Sequence, residues 1–149
     1  EDDRTEAPGR NLQTTVAGPL VVATPDVTPP DFTAGDEPAA TPHGEAIDVT
    51  AAIVEGGKCY GAVQLAADAA PDVAAVVAGV DATFKAVAEA DAAQDSQLTL
   101  SFAALVSETD YKVYVACEDD APAGPNAQLA VTTVATRTLD ITPPAFVGA

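Results

Sequence analysis

The scarcest property of this chain is positive charge. Only 6 lysines and arginines stand against 23 aspartates and glutamates, and the formal net charge is −17 with a pI near 4.1. Proteins bind nucleic acids and anionic lipids through cationic side chains that displace counterions from the phosphates. We therefore expect no nucleic-acid partner, whereas the surplus of carboxylates favours solubility and the binding of cations.

The chain also lacks long apolar runs. A helix that crosses a bilayer needs about 20 consecutive apolar residues, but the most apolar stretch, 66–80, is interrupted by Asp68, Pro71 and Asp72. We therefore expect no direct insertion into a membrane. Tryptophan and methionine are absent, and aromatic residues make up 5% of the sequence. The core must accordingly be built from small side chains.

Residue types that carry catalysis are rare as well. The single histidine, His43, lies between Pro42 and Gly44 in a turn sequence, where a histidine is more often solvated than catalytic. No Gly-x-Ser-x-Gly nucleophile motif is present. The serines lie in or beside predicted strands, without an evident base: Ser96, Ser101 and Ser107. We predict that the chain is not an enzyme and binds no cofactor, calcium being the one candidate.

Internal repetition is the most informative feature that the chain does have. The segment Asp-Val-Thr-Pro-Pro-Asp-Phe at 26–32 recurs as Asp-Ile-Thr-Pro-Pro-Ala-Phe at 140–146. A second echo joins 1–13 to 118–128, where an acidic triplet is followed by Ala-Pro, a glycine and Asn-x-Gln. Two echoes in the same order favour a true repeat over compositional bias, and a fixed period is typical of an array of similar units.

The repeat divides the chain into three predicted parts. Residues 1–25 are the end of a preceding repeat, 26–139 form one whole domain, and 140–149 are the linker and the start of a third repeat. The first five positions of each recurring segment, 26–30 and 140–144, are called the N-terminal box and the C-terminal box below. Each box contains Pro-Pro, which favours an extended polyproline geometry and predicts a semi-rigid spacer between domains.

Hydrophobic alternation predicts an all-β domain. Gly56-Gly57 predicts a hairpin turn between the first two of its strands, and 69–80 is predicted as a short helix with Pro71 in its first turn. A seventh strand is predicted near Phe32. The other six predicted strands lie at 45–54, 58–65, 83–90, 98–102, 111–117 and 131–138. Short strands with frequent turns favour a seven-stranded β-sandwich carrying one short helix.

Two segments carry a resemblance to a known family. The segment 105–116, Leu-Val-Ser-Glu-Thr-Asp-Tyr-Lys-Val-Tyr-Val-Ala, resembles the corner between strands E and F of a fibronectin type III domain, a member of the immunoglobulin-like sandwiches. The resemblance implies that Tyr111 is the tyrosine-corner residue, with its hydroxyl bonded back to the preceding loop. The segment 58–65 is similar to strand C of tandem modules on microbial and algal surface proteins. The lack of tryptophan departs from the family pattern.

The same resemblance makes strands C and F neighbours and thereby implies a disulfide between Cys59 and Cys117, the only cysteines. Such a bridge would stabilise the fold by about 4 kcal/mol in the chain-entropy model. It would also indicate an oxidising location, extracellular or at the cell surface. Two buried free thiols in a reducing compartment are the alternative.

Clustered carboxylates make calcium the one candidate ligand. Calcium prefers six to eight oxygen ligands and would stiffen a junction between domains. The alternative is a solvated acidic loop, since no segment has the spacing of a calcium-binding loop. The candidate ligands are Glu118, Asp119, Asp120 and Asp140.

The chain also resembles surface and flagellar-fibre glycoproteins of green algae. That resemblance implies O-glycosylation of the box threonines and hydroxylation of the box prolines, and bare residues in a plain linker are the alternative. The implied sites are Thr28, Pro29, Pro30, Thr142, Pro143 and Pro144.

Together these features predict a structural repeat module of an extracellular or cell-surface filament, stalk or sheath. Its partners would be other copies or repeats of itself. In a variant of this assembly, the strand at 14–23 would complement a neighbouring subunit by strand addition. The alternative function is a carbohydrate- or protein-binding accessory module, with Tyr60 and Tyr114 as an exposed aromatic patch on the outer faces of two strands.

Overall fold

The computed structural model describes residues 18–19 and 22–145, and the segment predicted to add a strand to a neighbour lies mostly outside them. In the described part the chain forms seven strands and one helix in two antiparallel sheets. A three-stranded sheet has the order β1-β2-β5, and a four-stranded sheet has the order β4-β3-β6-β7. The elements are β1 (Ala39–Pro42), β2 (Ile47–Ala51), β3 (Gly57–Leu65), α1 (Val73–Ala78), β4 (Ala86–Ala92), β5 (Leu98–Phe102), β6 (Asp110–Asp119) and β7 (Thr132–Arg137). The prediction of an all-β sandwich with seven strands and one short helix is confirmed.

The core lies between the two sheets because alternate residues of the strands point to the same face. In β5, Leu98, Leu100 and Phe102 are buried while the residues between them are exposed. Phe102 packs above Gly61 of β3, where an added Cβ would lie only 2.6 Å from the Phe102 Cζ. A glycine in the middle of a strand therefore lets the Phe102 ring fit between the sheets.

The helix covers the outer face of the four-stranded sheet, where Val76 packs on Tyr114. The Asp72 side chain caps α1 by accepting a hydrogen bond from the Ala75 N–H at 2.8 Å, and Gly79 ends the helix with φ 64°. Such caps satisfy backbone groups that a short helix leaves free. The helix is shorter than predicted, and Pro71 precedes the cap instead of lying in the first turn.

Two predictions about strand connections were wrong. The strands on either side of Gly56-Gly57 form no hairpin, because β2 and β3 belong to different sheets. Gly57 is needed for another reason, since a Cβ there would overlap the carbonyl oxygen of Glu118 in β6. The seventh strand is β1, whereas Phe32 makes only an isolated bridge with Ile53.

The two boxes lie at opposite ends of the sandwich. Residues 26–30 lie beside the end of β6, where Asn126 donates to the backbone of Asp26. The segment leading into the C-terminal box lies beside the start of β6, where Thr138 bonds to Thr109. A strand of 10 residues spans about 33 Å at roughly 3.3 Å per residue. The domain is therefore entered at one end and left at the other.

No helix within the described ranges is both long enough and apolar enough to span a bilayer.

Candidate functional site

The cysteine pair crosses the middle of the four-stranded sheet. Cys59 and Cys117 are direct partners of β3 and β6, their Cα atoms are 4.0 Å apart, and their sulfurs are bonded. Cys117 directs its N–H and C=O away from β3, to Gln128. The cysteines therefore form a non-hydrogen-bonded pair, the type in which strand residues approach most closely.

Tyr111 forms the corner that the resemblance implies. Its hydroxyl accepts a hydrogen bond from the Val106 N–H at 3.0 Å, and its side chain is 2% exposed. Thr138, which the sequence interpretation missed, donates its hydroxyl to the Val106 C=O at 2.6 Å and accepts from the Thr109 N–H at 3.0 Å. The chain leaving the domain is therefore tied to the corner. A threonine also stands two residues before the N-terminal box, as Thr24, and this recurrence was the available signal.

The N-terminal box is held by the Asn-x-Gln segment that belongs to the second sequence echo. Asn126 donates from Nδ2 to the Asp26 C=O at 3.3 Å. Gln128 donates from Nε2 to the Pro30 C=O at 3.2 Å, while its Oε1 accepts from the Cys117 N–H at 3.0 Å. The repeat had drawn attention to Asn126 and Gln128, but the sequence did not reveal that they hold the box.

The C-terminal box is anchored at the other end of the domain. The Leu139 N–H donates to the His43 C=O at 2.8 Å. The Ile141 side chain lies directly on Gly44, where an added Cβ would overlap the Ile141 Cγ2. The loop containing His43 and Gly44 therefore receives the chain as it leaves the sandwich.

Both boxes begin with the same local turn. The Thr28 N–H donates to Asp26 Oδ1 at 2.9 Å, and the Thr142 N–H donates to Asp140 Oδ1 at 2.7 Å. This is the Asx turn, in which an aspartate side chain replaces a backbone acceptor two residues before the donor. The recurrence of sequence is therefore accompanied by a recurrence of backbone conformation.

His43 is half-exposed and has a structural partner. Its Nε2 lies 3.0 Å from Asp48 Oδ2. A hydrogen bond from Ser101 lowers the pKa of Asp48, and His43 contributes further lowering against the opposing effect of burial. The pair braces the turn between β1 and β2, next to the backbone carbonyl that holds the C-terminal box.

An acidic cluster lies at the end that carries the N-terminal box. One carboxylate oxygen each of Asp26, Glu55 and Asp119 lies within 4.8 Å of the others. Burial raises the pKa of Glu55, and the charges of Asp26, Asp119 and Asp120 raise it further. The cluster therefore carries mutual repulsion at neutral pH.

Asp119 is held differently from Glu55. Burial raises its pKa, but hydrogen bonds from the side chain and backbone of Asn126 and from the Ala121 N–H outweigh that effect, so its pKa lies below the ordinary value. The Asn126 N–H approaches Asp119 Oδ1 at 2.7 Å and its Nδ2 approaches Oδ2 at 2.8 Å. Asp119 therefore organises the loop that holds the box.

The four predicted calcium ligands are not brought together. Asp119 lies in the cluster and Asp120 lies beside it, but Glu118 accepts a hydrogen bond from the Tyr60 hydroxyl at 2.5 Å. Adjacent strand residues point to opposite faces, which separates Glu118 from Asp119. Asp140 lies at the other end of β6. Calcium binding itself stays a prediction. The cluster that the structure shows adds Asp26 and Glu55 to Asp119, and these three converge only on folding.

The predicted aromatic patch is also absent from the described surface. Tyr114 is 1% exposed beneath α1, so its expected position on an open outer face was wrong. Tyr60 is half-buried, and burial together with its hydrogen bond to Glu118 raises the pKa of Tyr60 to about 12. The helix covers this face because Tyr114 and its neighbours are apolar.

The implied modification sites differ in accessibility. Thr28 and Thr142 are exposed, as are Pro143 and Pro144. Pro29 is half-buried and Pro30 is buried. A glycan on Pro30 does not fit while the N-terminal box is docked, whereas both threonine hydroxyls are open to modification.

No protein-family model matches the chain, and no curated protein matches it in sequence at a significant level.

Proposed function

We propose that the chain is a structural repeat module of an extracellular or cell-surface filament, stalk or sheath. One observation carries the proposal: two boxes of nearly the same sequence and the same Asx turn lie at opposite ends of one sandwich. A unit that begins and ends with the same linker adds to the next unit head to tail. Head-to-tail addition generates open filaments unless its rotation closes a ring.

The mechanism of such a module is geometric. Each domain contributes about 33 Å along β6 at roughly 3.3 Å per residue, and an extended linker of five residues contributes at most about 15 Å. An axial repeat on the order of 40 Å follows. A net charge of −17 keeps neighbouring filaments apart or recruits cations between them. The partners are other copies or repeats of the same module.

The proposed location rests on the cysteine pair. Disulfides persist in oxidising environments such as the cell exterior, and Cys59–Cys117 closes a sequence separation of 58 residues. We also propose that the domain is fibronectin type III-like, an assignment that the sandwich and the Tyr111 corner support. The exposure of Thr28 and Thr142 supports O-glycosylation of the linkers, and an intact mass equal to that of the bare sequence would refute it.

The alternative function, a carbohydrate- or protein-binding accessory module, loses its main support with the burial of Tyr114. Sugar recognition commonly uses exposed aromatic faces, and the two tyrosines proposed for that role do not form an open patch. The experiment that tests the filament therefore also tests this alternative function.

The test is electron microscopy of the native assembly, with its mass measured on the same sample. We expect filaments with a regular axial repeat on the order of 40 Å, built of chains much larger than 14.9 kDa. Isolated particles with the mass of the single chain would overturn the filament proposal and would bring the accessory-module function forward. The recombinant 149-residue chain serves as the size reference.

A further inference from the structure

The two ends of this domain each show one half of the same junction. At the N-terminal box, the domain that follows the box holds it, through Asn126 and Gln128. At the C-terminal box, the domain that precedes the box holds it, through the loop at His43 and Gly44. Because the boxes are equivalent in sequence and in turn geometry, the contacts seen at either end apply to one box lying between two domains.

We propose that each box is clamped, which means that both neighbouring domains bind it at the same time. The junction between consecutive repeats is then stiff. The preceding domain binds the backbone just before the box and the second box residue, and the following domain binds the first and fifth box residues. This inference rests on the proposed function, since it requires repeats in tandem. The partner that it identifies is a neighbouring repeat of the same kind.

Burial of the boxes supports the clamp. Pro30 is buried against the domain that follows it, and its equivalent Pro144 is exposed. The first half shows the opposite trend. Ile141, which contacts its preceding domain, is 54% exposed, and its equivalent Val27 is 76% exposed. The following domain thus covers Pro30, whereas the preceding domain covers Ile141 only in part.

The two sets of contacts do not compete for the same atoms. The preceding domain contacts the backbone just before the box, through the Leu139 N–H, and the side chain of the second box residue, Ile141. The following domain contacts the carbonyls of the first and fifth box residues, Asp26 and Pro30. All four contacts can therefore form on one box at the same time.

Exposed apolar side chains lie where the preceding repeat would sit. Leu129 is 93% exposed and lines a groove beside Thr28 and Pro29. Val27, also exposed, belongs to the same end of the domain. In tandem, the end of the preceding repeat would approach this surface, because the box that it grips is only five residues long.

The test is a fusion chain with two domains, in which residues 1–144 are joined directly to residues 31–149. The C-terminal box of the first copy then serves as the N-terminal box of the second. Ser96, which is exposed, is changed to cysteine in both copies and spin-labelled, and the distance between labels is measured by double electron–electron resonance. We expect a single narrow distance distribution. Replacing the five box residues by Gly-Ser-Gly-Ser-Gly should broaden it at least about twofold, because such linkers behave as flexible coils.

Matched substitutions test the contacts of the preceding domain and of the following domain separately. Gly44→Val in the first copy should displace the second box residue and broaden the distribution, while the same substitution in the second copy should leave it unchanged. Gln128→Ala should broaden it in the second copy and not in the first. These pairs also control for folding, since each compares the same substitution within the same chain.

Two results would overturn the clamp. One is an equally wide distance distribution in the fusion with the box and the fusion with the Gly-Ser linker. The other is an equal broadening of that distribution when a substitution is made in the first or in the second copy. Both are distinguishable from failure of the proposed function. Broad distributions together with regular native filaments would reject only the clamp. Narrow distributions together with native particles of single-chain mass would reject only the filament.

Discussion

Gln128 lies before the start of β7 and bonds to a part of β6 that β7 does not pair with. Its backbone N–H donates to the Cys117 C=O at 2.9 Å while its side chain accepts from the Cys117 N–H at 3.0 Å. One residue therefore satisfies both backbone groups of a buried cysteine and still reaches the N-terminal box. At the residue scale, the ends of this sandwich depend on side chains that stand in for missing strand partners.

Tyr111 gives a first prediction of this kind. We expect Tyr111→Phe to lower the free energy of unfolding by about 0.5–1.5 kcal/mol, because the Val106 N–H loses the hydroxyl that accepts its hydrogen bond. Tyr60→Phe is the control, since its partner Glu118 is half-buried and regains water when the hydroxyl is removed. Urea denaturation of both variants measures the difference. Equal losses would show that the corner bond has no special role.

Glu55 gives a second prediction, in which the substitution raises the free energy of unfolding. Burial and the neighbouring carboxylates raise the pKa of Glu55, so the folded protein binds more protons at this site than the unfolded chain does. Its destabilising effect is therefore absent below the unfolded pKa of about 4.3 and grows as the pH rises through the folded pKa. We expect Glu55→Gln to raise the free energy of unfolding at pH 7, with a gain that disappears at about pH 4.

Denaturation curves of Glu55→Gln across this pH range provide the measurement. Glu45→Gln, an exposed glutamate at the opposite end of the domain, serves as the control. A loss of stability in Glu55→Gln at pH 7 would contradict the repulsion in the cluster and would indicate that the carboxylate makes a favourable contact there.

At the scale of elements, the packing of the two sheets depends on the close approach of β3 to β5. An alanine methyl at position 61 would lie 2.6 Å from Phe102 Cζ and 3.0 Å from Leu100 Cδ1. We expect Gly61→Ala to lower the free energy of unfolding by about 1–3 kcal/mol through overpacking. Combining it with Phe102→Leu should cost less than the sum of the single changes, and a double-mutant cycle measures this coupling. Additive losses would contradict the proposed contact.

The same scale shows what the sequence could predict. β5 and β6 were predictable because large apolar residues alternate along them, and a two-residue period is specific for half-buried strands. β1, Ala39–Pro42, gave no such signal because it is short and contains small side chains. Gly56-Gly57 was misinterpreted because a glycine required by close approach of a neighbouring strand looks the same in sequence as one required by a turn.

The candidate site was predictable only where the sequence echo contains its residues. Asn126 and Gln128 stood out because Asn-x-Gln recurs before each box. The acidic cluster did not stand out, because Asp26, Glu55 and Asp119 are far apart in sequence and meet only through tertiary contacts. A repeat identifies residues under the same local constraint, but it does not give the contact that imposes the constraint.

At the scale of the whole molecule, the surplus of negative charge opposes compaction. The chain of 149 residues has a net charge of −17, and 18 of its acidic but only 4 of its basic residues lie at 26–139. This domain is about 33 Å long along its strands, which is comparable to the Debye length of about 30 Å at 0.01 M salt. At 0.1 M salt the Debye length falls to about 10 Å, and repulsion across the domain is then largely screened.

We therefore expect the thermal midpoint to rise by a few degrees when NaCl is increased from about 0.01 M to about 0.1 M, since about 1 kcal/mol shifts the midpoint of a domain of this size by roughly 4 °C. Differential scanning calorimetry measures the shift. CaCl2 at the same ionic strength is the comparison that separates screening from site binding, and screening alone predicts nearly equal shifts. An excess with CaCl2 that is lost in Glu55→Gln would contradict screening alone and would assign the calcium effect to the cluster of Asp26, Glu55 and Asp119.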